Sequence, residues 1–364
     1  MSVDIGIIGL PKSGKTTIFN ALTRGKADTG GYTQEAHVGV TKVPEPRLKT
    51  LADMLHPKRV VPTEVRYIDI GASVKELVKG KIGGPLLNQL SSVDALINVV
   101  RAFRDDSIPH SEGSLDVARD IAAMNLELIF SDLILLERRL EKIEVSLKGA
   151  KAPERQNLLH EQEFLMKLKA ELEKDMPIRE LSLSSDEARA ISSYQFLTAK
   201  PLLTVVNIGE DQLPEALSLE AVLAERFSTP RCRLITLCGK LEMELAQLDD
   251  TAAAGFRAEF GLTESGLDRV IRLSYALLGL ITFFTTASAE VKAWPVKQGT
   301  EAVKAAGKIH SDMERGFIRA EIISYDDFVQ CGSLTEAHKK GLIRLEGKSY
   351  IVQDGDVVTF LFNV

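Results

Sequence analysis

Apolar residues in this chain fall into short unbroken runs separated by stretches of helical rhythm. Residues 5–10, 65–70, 95–103, 202–208 and 234–237 are rich in Val, Ile and Leu without polar alternation. Strands of that kind are buried on both faces, which points to a parallel sheet covered by helices on each side. Three runs precede residue 110 and two follow residue 200, so the sheet is interrupted. The interruption reads as helix: Leu133, Leu136, Leu140, Ile143 and Leu147 recur at three-four spacing within 116–148. Gly149 and Pro153 mark a stop and a restart, after which Leu158, Leu165, Leu168 and Leu172 carry the rhythm onward. An antiparallel helical hairpin projecting from the sheet is predicted. Beyond residue 280 the texture shortens to strands at 290–296, 317–323, 349–352 and 357–362 around one helix at 301–309. The last turn falls at Asp354-Gly355-Asp356.

The first run leads into Gly9-Leu10-Pro11-Lys12-Ser13-Gly14-Lys15-Thr16, a complete GxxxxGK[ST] loop between a strand and a helix. Glycines let successive backbone N–H groups turn onto phosphate, Lys15 neutralises its charge, and the Thr16 hydroxyl suits Mg²⁺. Residues Pro11, Lys12, Ser13, Gly14, Lys15, Thr16 and Thr17 are therefore the expected phosphate-binding set. Asp69 closes the second run, where a carboxylate holds the metal through water, and Thr33 is the candidate to complete the metal shell. Guanine-specific members of this fold class read the base with Asn-Lys-x-Asp after a buried strand. Here the sequence is Asn207-Ile208-Gly209-Glu210. A displaced carboxylate leaves guanine donors unpaired, so guanine preference is expected to be weakened.

Composition changes the picture little. The 364 residues allow two or three domains, and 45% hydrophobic content is ordinary for globular protein. A net charge of −6 with both signs interspersed gives no global pull toward nucleic acid, so an RNA contact has to be a local patch. Three cysteines without metal-ligand spacing fit a reducing compartment. No apolar stretch reaches the length of a membrane span, and a cytoplasmic location without membrane contact is expected.

Several further stretches carry a resemblance. The phosphate loop, Asn207-Ile208-Gly209-Glu210, the helical arm, Glu264-Ser265-Gly266-Leu267-Asp268, residues 309–321 and the ending 344–364 together resemble the YchF/Obg-like ATPase family over nearly the whole chain. The resemblance implies an α/β P-loop NTPase G-domain at 1–115 and 196–280, a coiled-coil insertion at 116–195, and a β-grasp TGS domain at 281–364. It implies ATP preferred or accepted alongside GTP, and association with the ribosome, its large subunit or another translation component. It places Asn207, Ile208, Glu210, Cys238 and Gly239 at the base. It also makes His110, in Asp105-Asp106-Ser107-Ile108-Pro109-His110, the catalytic histidine on a mobile loop.

Three departures stand out. Lys12 occupies the place where the family carries a potassium-ligating Asn, so hydrolysis indifferent to potassium is expected. Ala72 stands where Asp-x-x-Gly has its Gly, and 73–89 is longer than the usual loop. The expected activity is a slow Mg²⁺-dependent nucleotide hydrolase acting as a molecular switch. The alternative is a non-hydrolysing nucleotide-sensing interaction protein.

Overall fold

The computed structural model describes residues 3–25, 27, 36–70, 84–287 and 289–363. Two compact units divide the chain: one comprises residues 4–39 and 66–270, the other 1–3, 40–65 and 271–364.

A first six-stranded sheet, most of it within the larger unit, contains β1 (Val3–Ile8), β2 (His37–Lys42), β4 (Glu64–Asp69), β5 (Ala95–Arg101), β6 (Leu202–Asn207) and β7 (Cys232–Leu237). They lie in the order β2-β4-β1-β5-β6-β7. The pairs β1/β5, β5/β6 and β6/β7 are parallel. Every residue of β5 and β6 is buried, the reason both read as unbroken apolar runs. The five expected runs become β1, β4, β5, β6 and β7. Strand β2 was not foreseen: it is an edge strand whose Val38 and Val40 face outward, so its apolar residues are few and alternating. Helices of this unit are α1 (Lys15–Thr23), α3 (Gly84–Ser92), α4 (Val117–Leu147), α5 (Ala152–Leu172), α6 (Ser185–Ser192), α7 (Ala216–Phe227), α8 (Gly239–Leu245) and α9 (Asp250–Glu259). A further helix, α10 (Gly266–Leu277), follows.

The arm is α4 and α5. Asp116 caps α4 by accepting from Arg119 N–H, and Pro153 opens α5. Ile129, Leu136 and Ile143 of α4 meet Leu165, Leu168 and Leu172 of α5 in one buried seam. At its base Asp132 is 2% exposed and accepts from the backbone N–H groups of Leu197 and Thr198 at 2.9 and 2.7 Å. That bond set ties the arm to the segment returning to β6.

The second unit carries another six-stranded sheet, of β3 (Arg59–Val61), β8 (Leu280–Ala287), β9 (Glu290–Lys297), β10 (Phe317–Ser324), β11 (Arg344–Glu346) and β12 (Asp356–Phe362). The order is β11-β10-β12-β8-β9-β3. The hairpin β8/β9, the helix α11 (Ala302–Ile309) and the parallel central pair β8/β12 give the expected β-grasp arrangement. Three corrections follow. Residues 349–352 form no strand, only an isolated bridge of Ile351 to Glu301. Short helices α12 (Ser311–Arg315), α13 (Tyr325–Cys331) and α14 (Leu334–Lys339) join α11. Residues 40–65, expected in the nucleotide domain, belong here: β3 pairs with β9, and α2 (Pro46–Leu55) sets Leu48 and Leu51 against Phe284, Val291, Ile323, Phe328 and Val357. The opposite face buries Phe283, Phe317 and Phe360 beneath Ala302, Ala305 and Ala306 of α11.

Candidate nucleotide site

β1 delivers the chain to a loop whose shape only glycine allows at two points. Gly9 has φ 150° and Gly14 φ 94°; a Cβ on Gly9 would lie 2.4 Å from the Val99 carbonyl oxygen, and one on Gly14 2.2 Å from Asn207 Nδ2. Lys12 also takes a left-handed conformation, at φ 62°, and its side chain is exposed. Lys15 and Thr16 then open α1, so the first-turn N–H groups and the positive end of the helix face the loop.

Lys15 is buried, and its Nζ donates to the carbonyls of Gly9 and Leu10 at 3.0 and 3.2 Å. The ammonium is thus folded over its own loop. Thr16 Oγ1 donates to Asp69 Oδ2 at 2.8 Å, joining α1 to the end of β4. Asp69 is fully buried, and burial pushes its carboxyl up, opposed by the Thr16 hydroxyl and by the charges of Lys15 and His37. Its Oδ1 is buried without a hydrogen-bond partner. A spare acceptor beside a hydroxyl and a phosphate-type lysine fits a hydrated Mg²⁺, which takes few protein ligands and keeps several waters. No cluster of three or more His, Cys, Asp or Glu able to hold a metal occurs among the described residues.

Asn207 is a strut. Its Nδ2 donates to the Ser13 carbonyl at 3.1 Å and its Oδ1 accepts from Gly239 N–H at 3.0 Å, fastening the phosphate loop to the turn after β7. Ile208 and Cys238 are buried beside it, and burial pushes the Cys238 thiol up. Glu210 does not stand alone: Lys240 Nζ lies 3.1 Å from its Oε1 on the exposed rim.

His110 departs from the sequence-based picture of a loop side chain free to act. Its side chain is 7% exposed; Nε2 lies 2.9 Å from Asp120 Oδ2, and Nδ1 accepts from Glu112 N–H at 3.1 Å. Asp120 itself takes a two-pronged contact from Arg119, at 3.0 and 2.8 Å on Oδ1. Lys15, Thr16 and Asp69 therefore meet, Asn207 links Gly239 to the phosphate loop, and His110 lies beside that loop with its ring turned to Asp120. Pro11 and Thr17 are half-buried on either side of that loop. Thr33, Ala72 and residues 73–83 lie outside the described residues. Asp120, Arg119 and His37 carried no sequence signal, and Lys240 entered only as the last residue of Cys238-Gly239-Lys240, which resembles a family base loop. Asp120 looks like one more charge in the first turn of a helix, and His37 bears on the site through its charge near Asp69.

A phosphate loop opening a helix, an acidic strand end against its Thr, and an Asn strut from a neighbouring strand define a P-loop nucleotide-binding protein of the GTPase fold. A family model described as a 50S ribosome-binding GTPase matches residues 4–132. The carboxy-terminal YchF GTPase model, described as a protein of unknown function, matches 280–363. The chain is 41% identical over 370 residues to "Ribosome-binding ATPase YchF" of Bacillus subtilis and 39% over 368 to that of Escherichia coli O157:H7, covering 100% of each chain in both comparisons. It also resembles the solved structure of the Schizosaccharomyces pombe YchF GTPase, with TM-score 0.83 and 30% identity over 99% of this chain and 98% of that one. The chain belongs to the YchF family. No helix among its described residues is long and apolar enough to cross a membrane.

Proposed function

We propose that this chain is a Mg²⁺-dependent ATPase that works as a molecular switch on the ribosome in the cytoplasm. The observation that carries the reading is the bond of Thr16 to the buried Asp69 with its spare Oδ1, beside a lysine folded over an anion-shaped loop. The relatives' name, ribosome-binding ATPase, supplies the partner and the nucleotide.

Phosphate entering the loop would compete with the Gly9 and Leu10 carbonyls for Lys15, and a phosphate anion outbids a neutral carbonyl for an ammonium. Backbone N–H groups of 11–17 then bind the β- and γ-oxygens, and Asn207 keeps the loop in register with the base loops. Thr16 and Asp69 are the residues to hold the metal, with Thr33 the third candidate. The metal supplies charge neutralisation on the β- and γ-oxygens when bound. Ile208, Cys238 and Gly239 supply the base surface, with Glu210 held by Lys240 at its rim. Hydrolysis requires positioning of water, the role assigned to His110, with no covalent intermediate. A non-hydrolysing nucleotide sensor is the second reading, favoured by one observation: both ring nitrogens of His110 are occupied.

Equilibrium binding of ATP and GTP with and without Mg²⁺, followed by single-turnover hydrolysis with and without ribosomes, tests the proposal. Tighter ATP binding with ribosome-stimulated turnover is expected, and Asp69→Asn should abolish the gain in affinity that Mg²⁺ brings. Binding without turnover in either condition selects the sensor.

A further inference from the structure

The segment between β5 and α4 is pinned rather than loose. Arg101 leaves the end of β5 with its guanidinium stacked on Phe103 at 4.5 Å and donating to the carbonyls of Phe103 and Asp105. Asp105 in turn accepts from Ser107 N–H and Oγ. Arg119, one turn into α4, reaches back to the Ser114 carbonyl at 2.6 Å and its hydroxyl at 3.0 Å. Between these anchors His110 turns inward.

Its ring nitrogens are both spent. Because Nδ1 accepts from the Glu112 N–H, a neutral ring carries its proton on Nε2, and that N–H points at Asp120 Oδ2. Asp120 is 2% exposed and its other oxygen is gripped by Arg119 through two nitrogens, so the carboxylate has little freedom to turn away. An imidazole in this arrangement has no lone pair and no proton left for a water or a phosphate oxygen.

The place where His110 rests is next to the phosphate loop and poorly satisfied. Pro11, Ser13, Asn98, Arg101, His110 and Asp120 line one narrow void with no room for an ordered water. Around it Ser13 Oγ, Asn98 Oδ1 and Arg101 Nη1 are buried with no hydrogen-bond partner. Native interiors leave few such atoms. Withdrawal of the imidazole would open the void and let water reach all three, which offsets the contacts His110 gives up.

We infer that Asp120, braced by Arg119, is a positioning residue that stores His110 in a resting place behind the phosphate loop, so that turnover requires the His110–Asp120 bond to break first. The inference rests on the reading of His110 as the group that acts on water. It adds a regulatory step: any partner that draws the 104–116 segment or the start of α4 outward frees the histidine.

Single-turnover ATP hydrolysis by the full chain, with equilibrium ATP binding alongside, compares wild type, Asp120→Asn, His110→Ala and the double variant. Asn keeps the shape but weakens the hold on both His110 and Arg119. We expect Asp120→Asn to hydrolyse at least about threefold faster with ATP affinity within twofold of wild type, and the double variant to fall to the His110→Ala rate. Imidazole ¹⁵N shifts should report an unprotonated Nδ1 and a protonated Nε2 on His110 in wild type, and a changed pattern in Asp120→Asn. Arg119→Gln, which leaves Asp120 in place, should give a smaller acceleration and serves if Asp120→Asn folds poorly. A rate that is unchanged or lowered in Asp120→Asn, while His110→Ala is slow, overturns the storage role alone. A wild-type rate in His110→Ala overturns the catalytic reading of His110 and the storage role with it.

Discussion

At the scale of single residues, two aspartates share one environment and differ in what their oxygens meet. Asp69 and Asp132 are both buried and both pushed up by burial. Asp69 keeps a spare oxygen beside Thr16 and Lys15, whereas both oxygens of Asp132 are used by the backbone N–H groups of Leu197 and Thr198. Asp132 is pushed up to about 6, with desolvation outweighing its hydrogen bonds. Its folded value exceeds that of the unfolded chain, so its proton binds the folded state more tightly, and its contribution to stability grows as pH falls through 6. Between pH 7 and pH 5 the gain is about 1 kcal/mol, rising to about 3 kcal/mol below the unfolded value. Denaturant titrations at the two pH values should therefore show a difference in wild type that Asp132→Asn lacks; equal pH dependence in both proteins refutes the assignment. Nothing in the run of residues around Asp132 distinguishes it from the solvated charges of the same helix, because its partners lie 65 and 66 positions away.

The arm is the element whose sequence rhythm and structure agree most closely. Leu136, Ile143, Leu165 and Leu168 are fully buried in its seam, while Leu133, Leu140, Leu147 and Leu158 flank it. Three-four spacing is a local property of one helix, so it needs no knowledge of the partner. Leu168→Ala removes a seam residue and should cost about 2–5 kcal/mol, confined to the arm. Hydrogen exchange should show lost protection in α4 and α5 with ATP affinity unchanged. Unaltered protection there would mean that the two helices do not depend on one another. Strand β2 shows the converse: an edge strand with half its side chains in water gives a pattern too weak to separate from a loop.

For the whole molecule, the lesson lies in residues 40–65. They sit between a phosphate loop and its acidic strand in the chain, yet fold with the C-terminal sheet. Arg47 bonds Asp354 at 2.8 Å, and Asp354 also accepts from Thr282 N–H at the β8 strand. Leu48 and Leu51 fill one face of that sheet. A fragment of 281–364 alone should consequently expose Phe284, Val291 and Phe328 and fail to unfold cooperatively, as judged by calorimetry and by dye binding to apolar surface. A sharp transition from that fragment would show that α2 and β3 are dispensable.

What the sequence determined by itself was whatever is written in neighbouring positions: the phosphate loop and its Lys15 and Thr16, the five buried strands, the helical arm, and the class of chemistry that follows. Each depends on spacing within a few residues, where backbone geometry imposes a short period. Tertiary structure alone decided what depends on residues far apart in the chain. It joined Asn207 to Ser13, gave α2 and β3 to the C-terminal sheet, set Lys240 against Glu210, and closed Asp120 on His110. Those pairings follow from how the layers pack, and packing is settled by the shape and polarity of surfaces assembled from the whole chain.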